Sequence, residues 1–367
     1  MSEAVAKIKH QFDSIDILRG FAAISVVVYH VIEHMNWKEF PTTGILSWFR
    51  YGWMGVDLFF VISGFVISLS AFNQINKNGS HHFKREFLSR RVRRIVPLHY
   101  LTLFIFIAFI SPTVIFNHFF TNLVSHLLFI HNTNYDYHGA INGSNWSLGA
   151  EMQFYILIAL TAQWLKNVKW WVLAGTALLI SYSWRFAAFS LVDLSQPLGV
   201  FKLFVSSTQL PGMLDEFAAG ILLARLVTSE IGAKILSYKY ASKIILLIAS
   251  IVICYLSFSV YFKYASFWQY PYMVVFFRTA IAISAATILL FLCTIKAPKY
   301  IKLVLSPFYY LGTISYGIYL WHLPILLSIK KIEWLSHSQA LVIILSMTLV
   351  MSSLSWHFFE KKFILKN

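Results

Sequence analysis

An arginine and a histidine stand eleven residues apart in the stretch DILRGFAAISVVVYH, with a long apolar run between them. The neutral imidazole of His30 can accept a proton from a hydroxyl group as a general base. The guanidinium of Arg19 can bind phosphate through forked, charge-assisted hydrogen bonds. Eleven residues at about 100° each make close to three helical turns, so the two side chains would share one face roughly 16 Å apart. The stretch therefore predicts a helix with a base near one end and an anion-binding group near the other.

Other ionisable side chains also interrupt apolar segments of the sequence. They are Asp57, Glu151, Asp215, Glu216 and His322. Ionisable residues within a membrane are costly and are functional candidates by default. A carboxylate beside a histidine can orient the ring and stabilise the imidazolium. We predict that these residues lie with His30 in one layer, in the outer half of the membrane.

The elements that would position these residues are membrane spans. The chain is 58% hydrophobic and only 12% charged, whereas a soluble domain is about 25% charged. A bilayer-spanning helix needs about 20 mostly apolar residues. We predict an all-α polytopic membrane protein of one domain, with its core at about residues 14–360 and spans at residues 15–34, 53–72, 96–116, 146–165, 170–188, 212–228, 243–260, 272–294, 306–328 and 340–359. The shorter run 118–131 carries three histidines and is predicted as a loop or re-entrant segment.

The basic residues give this arrangement an orientation. The loops on one side of the predicted spans hold 20 Lys and Arg residues, and the loops on the other side hold six. The positive-inside rule therefore places both termini in the cytoplasm, with Arg19, Arg91 and Arg94 on the cytoplasmic side. Because the basic residues lie in short loops between spans, their excess does not indicate a nucleic-acid partner. No small-residue cleavage site precedes the first apolar run, which predicts a retained span rather than a signal peptide.

Neither the cysteines nor the loop histidines predict a metal site. Cys254 and Cys293 both lie in apolar runs and are expected to be buried as small hydrophobic residues. The predicted outer loop carries four histidines, which are His118, His126, His131 and His138. Their spacings match no familiar pattern of metal ligands. Asparagines and aromatic residues of the same loop, among them Trp146, could instead contact a sugar.

Six stretches together carry a resemblance to a known family. They are DILRGFAAISVVVYH, GVDLFFVISGFVIS, RRVRRIVPLHY, NWSLGAEMQFY, DEFAAGILLA and SYGIYLWHLPI. These stretches occur in the same order as in the integral-membrane acyltransferase family 3, which the chain resembles. Members of that family transfer acyl groups, usually acetyl, to cell-surface sugars. The resemblance implies an acyl-CoA donor that arrives from the cytoplasm, rather than a tightly bound cofactor. It also implies an essential histidine at His30, an arginine pair at Arg91 and Arg94, and an acidic residue at Glu151.

The residues and the resemblance together give a set of site predictions. We assign His30, Asp57 and Glu151 to catalysis, Arg19, Arg91 and Arg94 to the donor phosphates, and Trp146, Tyr155, His322 and Glu216 to the substrate side. The chain departs from the family at FFEKKF, where many members have Glu-x-Pro, which puts a role for Glu360 in doubt. Many members also carry an extracytoplasmic hydrolase-like domain after the spans. Its absence here leaves three arrangements open, which are action alone, a separate extracytoplasmic partner and a homo-oligomer.

The predicted function is O-acylation of a cell-surface or lipid-linked glycan by a multi-pass protein of the bacterial inner membrane. Alternatives remain open from the residues alone. Intramembrane His, Asp, Glu and Arg residues also build the proton relays of transporters. The chain could also serve as a non-enzymatic membrane partner in glycan assembly, or acylate a small secondary metabolite. Direct attack on the thioester and a covalent acyl-histidine step are both compatible with the sequence.

Overall fold

The computed structural model describes residues 13–79, 83–116, 118–237, 240–264, 266–295 and 298–364. Every regular element within these ranges is helical, which confirms the predicted all-α fold. The predicted cytoplasmic positions of the two chain ends concern residues that lie outside these ranges, as do several of the counted lysines.

The α-helices are numbered here in chain order. They are α1 Asp13–His34, α2 Met54–Asn78, α3 Phe83–Ile105, α4 Phe119–Leu127, α5 Tyr135–His138, α6 Trp146–Asn167, α7 Trp170–Leu191, α8 Gly199–Ser207, α9 Leu214–Thr228, α10 Glu230–Leu236, α11 Tyr240–Lys263, α12 Pro271–Thr294, α13 Lys299–Val304, α14 Ser306–Thr313, α15 Ser315–Ile329, α16 His337–Ser355 and α17 Lys361–Ile364. Two π-helical turns, Phe106–Ile110 and Trp356–Glu360, extend α3 and α16.

Within the described ranges, seven helices are long and apolar enough to cross a membrane, and the bent pair α14 and α15 would make an eighth. The chain is therefore a multi-pass membrane protein. Two predicted spans, which correspond to α6 and α9, do not meet the same test. Helix α9 has 15 residues, or about 22 Å of helix, against a hydrocarbon core about 30 Å thick. Helix α6 is long enough but carries Glu151, Gln153 and Lys166. The count of ten spans is not confirmed.

The observed elements add detail to three of these predicted segments. Helix α3 begins at Phe83, so the arginine-rich stretch before the third apolar run is itself helical. The segment 118–131 contains α4, whose nine residues are too few to span a bilayer. The ninth span is broken, because α14 and α15 meet at 70°. Next to this bend, a Cβ atom on Gly312 would lie 2.0 Å from the carbonyl oxygen of Asp16, so α1 and α14 touch backbone to backbone.

The chain divides into two compact units, each built from three stretches. Unit 1 comprises Met1–Ile15, Asp57–Arg85 and Ala150–Leu305, and unit 2 comprises Asp16–Val56, Glu86–Gly149 and Ser306–Asn367. Within unit 1, helices α2 and α9 cross at two glycines. A Cβ atom on Gly64 would lie 2.2 Å from the carbonyl oxygen of Phe217, and one on Gly220 would lie 2.2 Å from that of Val61. Such small residues allow close backbone approach between membrane helices.

Candidate functional site

Two histidines from distant parts of the sequence meet in unit 2. His30 on α1 and His322 on α15 are hydrogen-bonded, with 2.9 Å between Nδ1 of His30 and Nε2 of His322. His322 is fully buried, whereas His30 is half-buried. The ring of His34, one helical turn after His30, has its centroid 5.9 Å from that of His30. Unit 2 therefore brings two of the sequence-predicted site residues, His30 and His322, into direct contact.

A tyrosine on α15 packs near His322 and forms hydrogen bonds with residues around the start of α6. The centroids of the Tyr319 and His322 rings are 5.8 Å apart. The Tyr319 hydroxyl donates to the carbonyl oxygen of Ser144, at 2.6 Å, and lies 2.7 Å from the Ser147 hydroxyl. Trp146, the neighbour of Ser147, is buried with its ring stacked near that of His138, at 5.8 Å between centroids. The start of α6 is therefore fastened to α15 close to the histidine pair.

Unit 1 holds a buried cluster of three carboxylates and two arginines. Asp57 and Arg278 form an ion pair, and Arg278 Nη1 lies 4.0 Å from Glu216 Oε1. Arg185 binds both carboxylate oxygens of Asp215, at 2.5 and 3.0 Å, and lies 3.9 Å from Glu216. The predicted orienting partner of His30, Asp57, is thus paired with a guanidinium.

Glu216 and Asp215, which the sequence predicts in the same layer as His30, belong to this cluster. Both carboxylates are buried, and two guanidiniums lie within 4.0 Å of the cluster's carboxylate oxygens, which lowers the cost of burying them. Arg185 also donates to the carbonyl oxygens of Gly212, at 2.6 Å, and Val275, at 2.9 Å. Its contacts tie together α7, α9 and α12, so the Arg185 part of the cluster is a structural tie between helices.

Glu151 on α6 accepts two hydroxyl donors within unit 1. The Ser63 hydroxyl lies 2.6 Å from Glu151 Oε1, and the Tyr155 hydroxyl lies 2.5 Å from the same oxygen. Glu151 is half-buried and Tyr155 is buried. Two hydroxyl donors on one carboxylate oxygen fix the rotamer of the Glu151 side chain.

The three arginines predicted to bind the donor have different surroundings. Arg19 forms a half-exposed ion pair with Asp16, at 3.2 Å. The Arg94 guanidinium lies 5.0 Å from the centroid of the Trp356 ring and 6.0 Å from that of Tyr316. Arg91 lies over the ring of Phe87, at 5.3 Å. The two arginines of the R-x-x-R pair therefore both lie on α3, each with its guanidinium over at least one aromatic ring.

The loop histidines form a buried group in unit 2. The rings of His126 and His131 are stacked with centroids 4.1 Å apart. Burial lowers the pKa of His126 to about 2, of His131 to about 4 and of His138 to about 3, and the neighbouring His131 contributes for His126 and His138. Hydrogen bonds to backbone carbonyls, such as His131 Nε2 to Asn145 at 2.9 Å, hold the neutral rings. Among the residues that the structure describes, no group of three or more His, Cys, Asp or Glu side chains is arranged to hold a metal ion.

A comparison with known protein families identifies the architecture. A family model described as "Acyltransferase domain" matches residues 12–358. The chain belongs to this acyltransferase family. The match covers the six stretches that carry the resemblance, and it includes both the histidine pair of unit 2 and the carboxylate cluster of unit 1.

Several curated relatives support the same assignment. The chain is 29% identical over 373 residues to the peptidoglycan O-acetyltransferase OatA of Listeria monocytogenes, covering 95% of this chain and 55% of the relative. It is 27% identical to the putative peptidoglycan O-acetyltransferase YrhL of Bacillus subtilis, covering 95% of this chain and 54% of the relative. It is 23% identical to the putative membrane-bound transacylase BcsY of Komagataeibacter xylinus, covering 96% and 83%. The chain therefore spans about half the length of the first two relatives. No solved structure gives a significant match.

Sequence reasoning missed several residues that shape these sites. Arg185 and Arg278 are ionisable residues inside predicted spans. Because ionisable residues are costly in a membrane, both could have been predicted as functional candidates from the sequence. Ser63, Ser147 and Tyr319 gave no such signal, because a hydroxyl group in an apolar helix is common. Their importance depends on contacts that only the folded chain reveals.

Proposed function

We propose that this acyltransferase-family chain transfers an acyl group, acetyl in the first instance, from acyl-CoA to a hydroxyl group of a cell-surface or lipid-linked glycan. The observation that carries the proposal is the half-buried His30 ring, hydrogen-bonded at 2.9 Å to a fully buried histidine. A general base must be open to its substrate on one side and held in orientation on the other, and His30 meets both conditions. The relatives named as peptidoglycan O-acetyltransferases favour a glycan as the acceptor.

The proposed reaction is a direct transfer. The His30 imidazole accepts the proton of the glycan hydroxyl as its oxygen attacks the thioester carbonyl. A new C–O bond forms, the C–S bond breaks, and the departing coenzyme A thiolate takes the proton from the imidazolium. The reaction thus returns His30 to its neutral form and needs no further reactant. We also propose a catalytic role for Glu151, whose carboxylate accepts hydrogen bonds from the hydroxyl groups of Ser63 and Tyr155.

We further propose that the donor arrives from the cytoplasm, with Arg19, Arg91 and Arg94 at its phosphates. In the inner-membrane orientation predicted from the loop charges, these residues belong to the cytoplasmic side. The Arg19-to-His30 distance along α1, about 16 Å, is one that the extended pantetheine arm of acyl-CoA would have to bridge. Trp146 and Tyr155 are proposed on the acceptor side. Acyl-CoA is a co-substrate here, and the protein needs no tightly bound cofactor in this scheme.

The experiment is acetyl transfer by the purified chain in proteoliposomes. Radiolabelled acetyl-CoA is supplied with peptidoglycan fragments or a lipid-linked glycan, and the labelled glycan is measured. Because general-base catalysis contributes about 10²–10⁴-fold, we expect His30→Ala to lower the rate by that factor at unchanged membrane abundance. Ser328→Ala on α15 removes only a hydroxyl bonded to Pro324, at 2.9 Å, and is the control variant. Wild-type rates for His30→Ala would refute the proposal.

A further inference from the structure

The orientation of the two rings fixes the line along which the hydrogen bond between His30 and His322 runs. The two ring planes are only 15° apart, with 5.0 Å between the centroids. This separation is close to the nitrogen–nitrogen distance plus the two ring radii, so the rings lie end to end rather than face to face. The hydrogen bond therefore runs close to both ring planes, along the line of the nitrogen lone pair.

The second nitrogen of His322 decides which ring donates. Nδ1 of His322 lies 3.3 Å from the carbonyl oxygen of Ile318. A carbonyl oxygen can only accept, so the proton of neutral His322 belongs on Nδ1. Nε2 of His322 then carries a lone pair and accepts from His30. The opposite assignment would direct the Nδ1 lone pair of His322 at a carbonyl oxygen, which is repulsive.

The same reasoning assigns the two nitrogens of His30. Since Nε2 of His322 accepts, Nδ1 of His30 carries a proton, and Nε2 of neutral His30 carries the free lone pair. Among the described residues, Nε2 of His30 has no hydrogen-bond partner. The half-buried ring thus has its donor side facing the buried histidine and its basic side available to a substrate.

We propose that His322 is a positioning residue that holds His30 in the Nδ1–H tautomer, so that Nε2 of His30 is the atom that accepts the hydroxyl proton. This inference rests on the proposed function. It assigns His322 a role as hydrogen-bond acceptor, and it does not require His322 to contact either substrate or to change its own protonation. The orienting role that a carboxylate has in hydrolytic triads thus falls to a neutral histidine.

The test compares two variants that differ in the acceptor at position 322. His322→Leu fills a similar space and removes the acceptor, so the His30 ring can rotate and change tautomer. We expect kcat to fall about 10- to 100-fold, as when a partner that orients a functional histidine is lost, with KM for acetyl-CoA unchanged. His322→Gln supplies an amide oxygen where Nε2 lay, and we expect it to restore most of the lost kcat. Ser328→Ala on the same helix and His30→Ala are measured alongside.

A second measurement covers the case in which His322→Leu fails to reach the membrane. In His322→Ala, the space beside His30 admits Nδ1-methylhistidine at position 30, a residue whose basic nitrogen can only be Nε2. We expect this residue to raise kcat at least severalfold above that of unmodified His322→Ala.

The outcomes separate the inference from the function on which it rests. A wild-type kcat in His322→Leu, equal losses in the Leu and Gln variants, or no gain from the methylated residue would each overturn the positioning role. All three results leave the proposed function intact if His30→Ala is inactive. Full activity of His30→Ala contradicts the proposed function itself, whatever the variants of His322 do.

Discussion

Arg278 faces two carboxylates at once, because it pairs with Asp57 and lies 4.0 Å from Glu216. The cluster contains three carboxylates and only two guanidiniums, so its members are not equivalent. Removal of Arg278 leaves two buried carboxylates without this cation. Removal of the Asp57 charge leaves Arg278 still facing Glu216.

This asymmetry predicts unequal costs for two substitutions. Arg278→Met should lower the free energy of unfolding by about 3–5 kcal/mol, the range for breaking a buried ion pair, and should lower membrane abundance. Asp57→Asn should cost distinctly less, because it preserves shape and leaves Glu216 4.0 Å from Arg278. Thermal unfolding in detergent measures both variants.

The same pair of variants separates structure from catalysis at Asp57. A stable Asp57→Asn protein with a large loss of kcat would support the catalytic role predicted for Asp57 from the sequence. A stable protein with normal kcat would assign Asp57 to the ion pair alone. If Asp57→Asn proves as unstable as Arg278→Met, the two residues do not differ in the way that this asymmetry requires.

The hydroxyl donors of Glu151 give a second prediction. Tyr155→Phe and Ser63→Ala each remove one hydrogen bond to Oε1, and a hydrogen bond to a charged group contributes about 1.5–3 kcal/mol. We expect each variant to lower kcat about tenfold or more, with Glu151→Gln at least as slow. Steady-state acetyl transfer with saturating donor measures the change.

Thr161 on the same helix provides the matched control for these variants. Its hydroxyl donates to the carbonyl oxygen of Leu157, at 2.6 Å, and it takes no part in the Glu151 contacts. Thr161→Ala should therefore keep the wild-type kcat. A Tyr155→Phe variant that is as active as Thr161→Ala would mean that the orientation of Glu151 does not limit the reaction.

The buried loop histidines predict a stability that depends on pH. Burial holds the pKa of His131 at about 4 and that of His126 at about 2, whereas an unfolded histidine titrates near 6.5. Below pH ~6.5 the histidines of the unfolded chain bind protons, whereas the buried histidines of the folded chain stay neutral. Acid therefore favours unfolding. We expect the melting temperature to fall steadily as the pH is lowered from about 6.5 to about 4.

A substitution in the stack tests whether these histidines are the cause. His131→Gln keeps a donor toward Asn145 but removes the titration, so its melting temperature should fall less steeply with acid than that of the wild type. His118 is exposed, and His118→Asn should leave the slope unchanged. Equal slopes for the wild type and His131→Gln would contradict the explanation.

The parts of this fold that could be predicted are those that depend on local patterns of residues in the sequence. The apolar stretches that predicted most spans are local, and so is the R-x(10)-H spacing on α1. The pairing of His30 with His322 joins residues 292 positions apart, and no periodicity encodes which distant helix supplies the partner. The break between α14 and α15 likewise lies next to a contact between Gly312 and α1, which joins distant parts of the sequence. Ionisable groups in the spans were visible in the sequence, but the pairing of Asp57 with Arg278, 221 positions away, required the packed helices.

A substitution of Arg94 tests whether this residue binds the acyl-CoA donor. An arginine that binds a phosphate of acyl-CoA contributes through a charge-assisted hydrogen bond of about 1.5–3 kcal/mol, or roughly 10- to 100-fold in affinity. We expect Arg94→Gln to raise KM for acetyl-CoA by about that factor, with a smaller change in kcat. Arg94→Lys should be intermediate, because lysine keeps the charge but cannot form the forked contact.

Arg93 is the matched control for this effect. It is the next residue back on the same helix and is exposed, whereas Arg94 lies against the rings of Trp356 and Tyr316. If the charge cluster only anchors α3 to anionic headgroups, Arg93→Gln and Arg94→Gln should affect KM equally. A rise in KM confined to the Arg94 variants separates donor binding from anchoring, since headgroup attraction depends on the number of charges near the surface rather than on which arginine carries them.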